Sequence, residues 1–191
     1  MVSVKMEINN QELPSNHQSM IEFSDVAIAL ASPRHHSKPS DLNLPTIEPG
    51  YVRLALEELN CFETVQKQFA HWGILFQNAI AISPSNPAFG VSADVKVLMG
   101  APKSGLIEIT FDRPVKLVKA LVTSTRRSVL SAYDQAGKII NQTEMPGANL
   151  IGCDSDIAPN FPLIVQDSPI SKVSFYAFDG QIIIHSLLVE F

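Results

Sequence analysis

From residue 59 onward, the chain alternates short apolar runs with turn-forming residues. The clearest run is Leu106–Asp112, in which Ile107, Ile109 and Phe111 fall on one side and Glu108 on the other. Side chains two residues apart share one face of a strand. This run therefore predicts a half-buried antiparallel strand.

The remaining apolar runs are equally short, and Pro, Gly, Asn and Ser separate them. They are residues 59–64, 73–83, 95–99, 115–124, 128–134, 138–143, 163–166, 173–178 and 181–191. About nine strands at this spacing, with no helical pattern between them, predict an all-β antiparallel sandwich or barrel. The connections are too short for the crossovers of a parallel α/β fold.

Residues 1–57 have a different character, since polar and turn-forming stretches dominate them. We expect a largely irregular N-terminal extension, partly extended or mobile, that covers a sheet edge or tethers another subunit. Ile21–Leu30 alternates well enough for one docked strand, and Tyr51–Leu59 is either a short helix or a lead-in strand. The predicted domain is residues 58–191.

Composition narrows the range of partners. The 191 residues carry a net charge of −5 with only 14 Lys and Arg, so a nucleic-acid partner is not expected. No apolar run reaches the roughly 18 residues of a membrane span, and the N-terminus lacks a secretory pattern. We therefore expect a cytoplasmic protein.

The two cysteines, Cys61 and Cys153, form neither a metal-binding spacing nor a disulfide framework. Both lie among apolar neighbours, which favours free buried thiols in a reducing compartment. A single bridge and a Cys nucleophile remain as alternatives, because spacing does not show which side chains the fold brings together.

Five phrases resemble a known group of domains. They are Phe62-Glu63, Gly73–Phe76, Gly105–Val115, Leu130–Gly137 and Ile170–Phe175. The pattern is similar to the jelly-roll β-sandwich domain of bacterial, often cyanobacterial, surface proteins with PEP-CTERM sorting tails. That domain is distantly like carbohydrate-binding modules and galactose-binding-like proteins. The resemblance covers residues 59–191 and implies a jelly-roll β-sandwich, a fold that hosts many functions.

The resemblance also implies a calcium ion between an acidic residue near the first strand and aspartates in the last strand. Glu63 matches the first position, but His185 and Ser186 stand where aspartates are expected. Imidazole is a poor ligand for calcium, which prefers several oxygen atoms. We therefore expect no cofactor, with Glu63 as the vestige of a weakened or lost calcium site.

Four residues are candidates for ligand binding: His71, Trp72, Phe89 and Tyr133. His71 and Trp72 are adjacent and offer a ring face with a polar handle, although a lone Trp at a strand start also serves as a lid on the core. The preferred function is a non-catalytic binding or interaction module of a bacterial cell. Its partner is another protein or a small apolar or sugar-like ligand, and homo-oligomerisation stays open.

The alternative function is an enzyme of the cyclase or isomerase type in natural-product biosynthesis. Glu63 or Asp134 would act there as a carboxylate acid in an apolar pocket, with His185 as its partner and the Trp72 ring stabilising a developing cation. Glu63 and His185 are neighbours if the first and last strands pair. Asp134 precedes a hairpin turn, so bonding to the turn backbone is its simpler interpretation.

Overall fold

A computed structural model describes residues 27–35, 50–92, 94–100 and 105–191. It contains eleven strands. They are β1 (Ile28–Ala31), β2 (Tyr51–Leu54), β3 (Thr64–Val65), β4 (Ile74–Gln77), β5 (Ala79–Ile82), β6 (Val97–Gly100), β7 (Leu106–Ser124), β8 (Ser128–Tyr133), β9 (Ile139–Met145), β10 (Phe161–Ala177) and β11 (Ile182–Glu190). Three short 3₁₀ turns, at Leu56–Glu58, Ala70–Trp72 and Pro87–Phe89, lie between strands.

Two long strands, β7 and β10, pass through both layers of the sandwich. The first half of β7 pairs with β4 and with the second half of β10, next to β8 and β9. The second half of β7 pairs with β11 and with the first half of β10. Register shifts around Ile170 interrupt the β7–β10 ladder between the halves, as expected where a bulge bends a strand. The prediction of an antiparallel β-sandwich is confirmed.

The core lies between the layers and follows the alternation seen in the sequence. Ile107, Ile109 and Phe175 are buried on the inner face of the first layer, and Val118 and Leu187 come from the second. Burying each such side chain contributes on the order of 2 kcal/mol.

A smaller cluster covers the outer side of the second layer. Phe89, Val97 and Ile183 form it, with Met99 and Leu150 packed against them. Ile182, Ile183 and Ile184 are therefore all buried, because this part of β11 is covered on both faces.

The start of the sandwich differs in detail from the sequence prediction. Tyr51–Leu54 is a strand, as one of the two alternatives held, and it pairs with β11. β1 joins it in parallel, although an all-antiparallel sheet was expected. Both strands precede residue 58, and Ala31 and Val52 contribute to the core. Most of the predicted extension, residues 1–26 and 36–49, lies outside the described residues.

The cysteines are free, as predicted, but the predicted burial of Cys61 is wrong. Cys61 is exposed in the turn before β3, and Cys153 is half-buried. Cys61 is exposed because it lies in a turn rather than in the apolar strand that its neighbours suggested. Within the described part of the chain, no helix is long and apolar enough to cross a membrane.

Candidate functional site

One outer surface of the sandwich is lined by polar and aromatic side chains. Five strands form it: β4, the first half of β7, the second half of β10, β8 and β9. We call it the open face, because its side chains alternate with core residues and point away from them. They are Leu75, Gln77, Glu108, Thr110, Val129, Ser131, Tyr133, Gln142, Glu144, Lys172, Ser174 and Tyr176.

The first feature of the open face is the Tyr133 cluster, formed by Tyr133, Lys172 and Glu108. Tyr133 stands opposite Lys172, and its hydroxyl lies 3.0 Å from the hydroxyl of Ser174, a diagonal neighbour on β10. This diagonal hydrogen bond directs the Tyr133 side chain across to β10. Lys172 Nζ lies 4.8 Å from the ring centroid and donates to Glu108 Oε1 at 2.9 Å. Ring and carboxylate together hold the ammonium group.

The second feature is the Phe178 cluster at one end of the open face. It is formed by Phe178 in the turn after β10, Arg127 just before β8 and Glu144 on β9. The guanidinium carbon of Arg127 lies 4.7 Å from the Phe178 ring centroid. Arg127 Nε donates to Glu144 Oε2 at 3.1 Å, and its Nη2 donates to the same oxygen. Tyr176 meets Phe178 edge-on, with ring centroids 4.7 Å apart. Phe178 is nevertheless 42% exposed.

Small polar side chains form the floor between the two clusters. Ser131 and Ser174 are buried beneath their longer neighbours. Gln142 Nε2 donates to Ser131 Oγ at 2.7 Å, and Tyr133 bonds Ser174. Neither partner is a base, so neither hydroxyl is activated as a nucleophile. The open face therefore supports non-covalent binding by ring faces and hydrogen-bonding groups.

The predicted pairing of Glu63 with His185 is wrong. Glu63 precedes β3, and β5 and β6 lie between β3 and β11, which carries His185. Three interstrand steps of about 4.8 Å place the two backbones about 14 Å apart. The physical reason is that β2 and β6, rather than β3, provide the neighbours of β11 at this edge.

Glu63 instead stabilises a turn. Its Oε2 lies 3.2 Å from His35 Nδ1, and its Oε1 accepts a hydrogen bond from the backbone N–H of Asn60 at 2.7 Å. Within the described ranges, no group of three or more His, Cys, Asp and Glu side chains is placed to hold a metal ion. β11 contains no aspartate and lies three strands away from β3, which follows Glu63.

His185 is a structural residue of the second layer. Its Nε2 lies 3.0 Å from Thr123 Oγ1, which also accepts a hydrogen bond from the backbone N–H of Asn160 at 3.1 Å. Burial lowers the pKa of His185 to about 4, so the imidazole is neutral at neutral pH. The Thr123 hydroxyl can then donate to Nε2, which ties the loop before β10 to β7 and β11.

Asp134 is a turn residue, as its simpler interpretation held. Its Oδ1 accepts hydrogen bonds from the backbone N–H groups of Ala136 and Lys138, both at 2.9 Å. Gly137 follows with φ +80°, a conformation that favours glycine at this hairpin. Asp134, Glu63 and His185 thus each have a separate structural role.

His71 and Trp72 lie beside β4 and away from the centre of the open face. Trp72 packs against the core, which matches its interpretation as a lid. His71 contacts Trp72 edge-on, with ring centroids 6.2 Å apart. Burial lowers the pKa of His71, and the nearby charge of Arg34 lowers it further.

Phe89 is also placed differently from the prediction. It is 7% exposed and packs against Val97 and Ile183. The turn Pro87–Phe89 is capped by the Asn86 side chain, which accepts from the N–H of Ala88 and directs Phe89 inward. Phe89 therefore belongs to the smaller core cluster. Of the four ligand-binding candidates, Tyr133 lies on the open face.

Sequence reasoning missed Lys172, Glu108, Arg127 and Phe178. The sequence did indicate that Lys172 and Glu108 lie on the outer face. Each alternates with buried residues in or next to an apolar run that was predicted to form a strand. The β7–β10 register that brings them together is a long-range pairing, which one-dimensional patterns do not show.

Comparisons with known proteins add little at this level of similarity. No protein-family model matches the sequence, and no curated protein matches it significantly. Among solved structures, a family 29 carbohydrate-binding module matches with a TM-score of 0.38 and 11% identity, covering 74% of this chain and 88% of that one. The CBM29_1 module from Piromyces equi matches with a TM-score of 0.37 and 6% identity, covering 62% and 81%.

The sandwich is established by the strand pairing of the chain itself. The resemblance to PEP-CTERM proteins stays a prediction.

Proposed function

We propose that this protein is a non-catalytic binding module for neutral carbohydrate and that the open face is its binding surface. The observation that carries the proposal is the Tyr133 cluster. The Tyr133 side chain reaches across to Ser174 on β10 there, beside an ammonium group and a carboxylate that bond to each other at 2.9 Å.

A sugar ring presents an apolar C–H face and an equatorial rim of hydroxyl groups. The C–H face packs on an aromatic ring, while hydroxyls accept from an ammonium group and donate to a carboxylate. Lys172 and Glu108 supply these two groups within reach of the same ring. The cluster thus combines stacking with hydrogen bonding in both directions.

The charge balance of the face favours a neutral ligand. Lys172 is paired with Glu108 and Arg127 with Glu144. An anionic ligand would have to compete with these carboxylates, and a cationic one with the lysine and arginine. Lys172 over the Tyr133 ring contributes only about 0.5–1 kcal/mol at an exposed site, so a sugar ring can displace it.

Isothermal titration calorimetry tests this proposal. The probes are neutral hexasaccharides of β-1,4-linked glucose, mannose and xylose and of α-1,4-linked glucose, with hexagalacturonate as an anionic probe. We expect at least one neutral hexasaccharide to bind and Tyr133→Ala to weaken it by about tenfold, equivalent to about 1.4 kcal/mol.

Phe62→Ala is the matched control for loss of an aromatic ring. Phe62 is 75% exposed in the turn before β3, outside the open face. Its removal should leave saccharide affinity unchanged. Absence of binding to every neutral probe, or equal losses in Tyr133→Ala and Phe62→Ala, would contradict the proposal.

A further inference from the structure

The two clusters of the open face have the same construction. In each, an aromatic ring carries a cation over its face, and that cation is bound to a carboxylate. Lys172 lies 4.8 Å from the Tyr133 centroid and bonds Glu108. Arg127 lies 4.7 Å from the Phe178 centroid and bonds Glu144. Repetition on one surface indicates two subsites for similar chemical groups.

We propose that the ligand is a linear polymer of repeating neutral sugar units that contacts both clusters at once. This inference rests on the proposed carbohydrate-binding function and specifies the length and regularity of the ligand. A polymer presents the same C–H face and hydroxyl rim at intervals, so each cluster meets an equivalent unit.

The spacing of the clusters sets the length. Lys172 and Ala177, the last residue of β10, are five residues apart, which corresponds to about 17 Å between their backbones at the rise of an extended strand. The Tyr133 side chain reaches to Ser174 and the Phe178 ring contacts Tyr176, so the two aromatic rings lie closer together than this. A single sugar ring cannot span this distance. A chain of several units running along β10 does so without leaving the open face.

The surface between the clusters fits such a chain. Ser174 and Tyr176 occupy the intervening positions of β10, and Ser131 lies opposite Ser174. Ser131 and Ser174 are small and buried beneath their neighbours, so the surface is lower at these two positions than at the aromatic residues on either side. The Tyr176 hydroxyl and the amide of Gln142 offer further hydrogen bonds to hydroxyl groups in this stretch.

The test measures how saccharide affinity depends on ligand length in the wild-type protein and in three variants. The wild-type protein, Tyr133→Ala, Phe178→Ala and the control Phe62→Ala are each titrated with the disaccharide and the hexasaccharide of the sugar that binds. Wild type and Phe62→Ala should bind the hexasaccharide at least about tenfold more tightly than the disaccharide, because the second contact becomes intramolecular. Both cluster variants should lose most of this gain.

Stoichiometry gives a second, independent measurement. One hexasaccharide should bind each protein molecule, whereas two disaccharides should bind, one at each cluster. Phe178→Leu keeps apolar bulk without the ring and should behave as Phe178→Ala does. A thermal unfolding scan of every variant establishes that loss of binding is not loss of fold.

The outcomes separate this inference from the proposed function. If the disaccharide binds as tightly as the hexasaccharide, the two-subsite inference is overturned and carbohydrate binding stands. The same conclusion follows if Phe178→Ala retains the full gain with length. If no neutral saccharide binds, the proposed function itself fails.

Discussion

The hydroxyl of Tyr133 lies 3.0 Å from the hydroxyl of Ser174, across the boundary between β8 and β10. This hydrogen bond decides how the aromatic ring is presented. Without it, the ring would be free to rotate away from the sheet, and the Lys172 ammonium would lose its position over the ring face. The hydrogen bond between β8 and β10 thus positions the Tyr133 ring for the saccharide contact that we propose.

Removing only this hydroxyl should weaken binding less than removing the ring. In Tyr133→Phe, the ring keeps its apolar contact area but loses one intramolecular hydrogen bond, so the free energy of unfolding should fall by about 1 kcal/mol. Saccharide affinity should fall through the lost orientation of the ring, and by less than in Tyr133→Ala because the ring itself remains. Calorimetry and urea denaturation measure the two effects. A tenfold or greater loss, equal to that of Tyr133→Ala, would show that ring orientation matters more than its area.

Binding of a neutral saccharide should respond little to salt. The two ion pairs of the open face are internal, so the ligand releases no counterions when it binds. We expect the dissociation constant to change less than about twofold between 50 and 500 mM NaCl. Titrations at both concentrations check this. A steep weakening with salt would instead indicate an anionic ligand.

The stability of the protein should fall as the pH is lowered from 7.5 to 4.5, in part through His185. Its pKa is about 4 in the folded protein and 6.5 when unperturbed, so the unfolded chain binds the proton more readily. The stabilisation is complete above pH 6.5 and is lost towards pH 4. Because the imidazole is only partly buried, we expect a loss on the order of 1 kcal/mol.

Replacing the imidazole isolates this contribution from that of the carboxylates. His185→Gln keeps a polar group near Thr123 but does not titrate. Urea denaturation at several pH values should give a shallower decline for His185→Gln than for wild type between pH 6.5 and 4.5. Parallel declines would contradict the assignment.

Gly105 should tolerate no side chain. Its φ is +57°, and an added Cβ would lie 2.5 Å from the carbonyl oxygen of Ala177 and 2.7 Å from that of Gly180. Both are backbone atoms, and the Gly105 carbonyl also accepts from the Ala177 N–H at 2.8 Å. Gly105→Ala should therefore cost at least about 2 kcal/mol, by strain at a special φ and by steric overlap.

Thermal unfolding measures the effect, with Gly137→Ala as the comparison. Gly137 also has positive φ, but a Cβ added there would meet no atom within 4 Å, so this variant should lose about 1 kcal/mol from backbone conformation alone. Equal losses at both positions would show that the close contacts at Gly105 are relieved by movement.

The strand content was predictable because it depends on local alternation. Leu106–Asp112 shows this directly, since Ile107, Ile109 and Phe111 are buried and Glu108 is half-buried on the opposite face. The turn at Asp134 was equally accessible, because its hydrogen bonds reach only two and four residues along the chain. Structures that depend on neighbouring residues can therefore be predicted from the sequence pattern.

The candidate site was predictable only in part, because it depends on contacts between residues that are distant in the sequence. Tyr133 was named from the sequence, but its partners Lys172 and Ser174 lie about forty positions away and meet it through the β8–β10 register. Glu63 and His185 show the opposite error. Each was a reasonable candidate by residue type, and the strand order β3-β5-β6-β11 keeps them apart.

Apolar alternation along the chain fixes which side of a strand avoids water, so half-buried strands such as Leu106–Asp112 follow from the sequence alone. Tertiary structure decided which strands are neighbours, where β7 and β10 bend from one layer to the other, and which polar side chains meet on the open face. Those choices depend on contacts between residues distant in the chain, and their energies are summed only when the two layers pack.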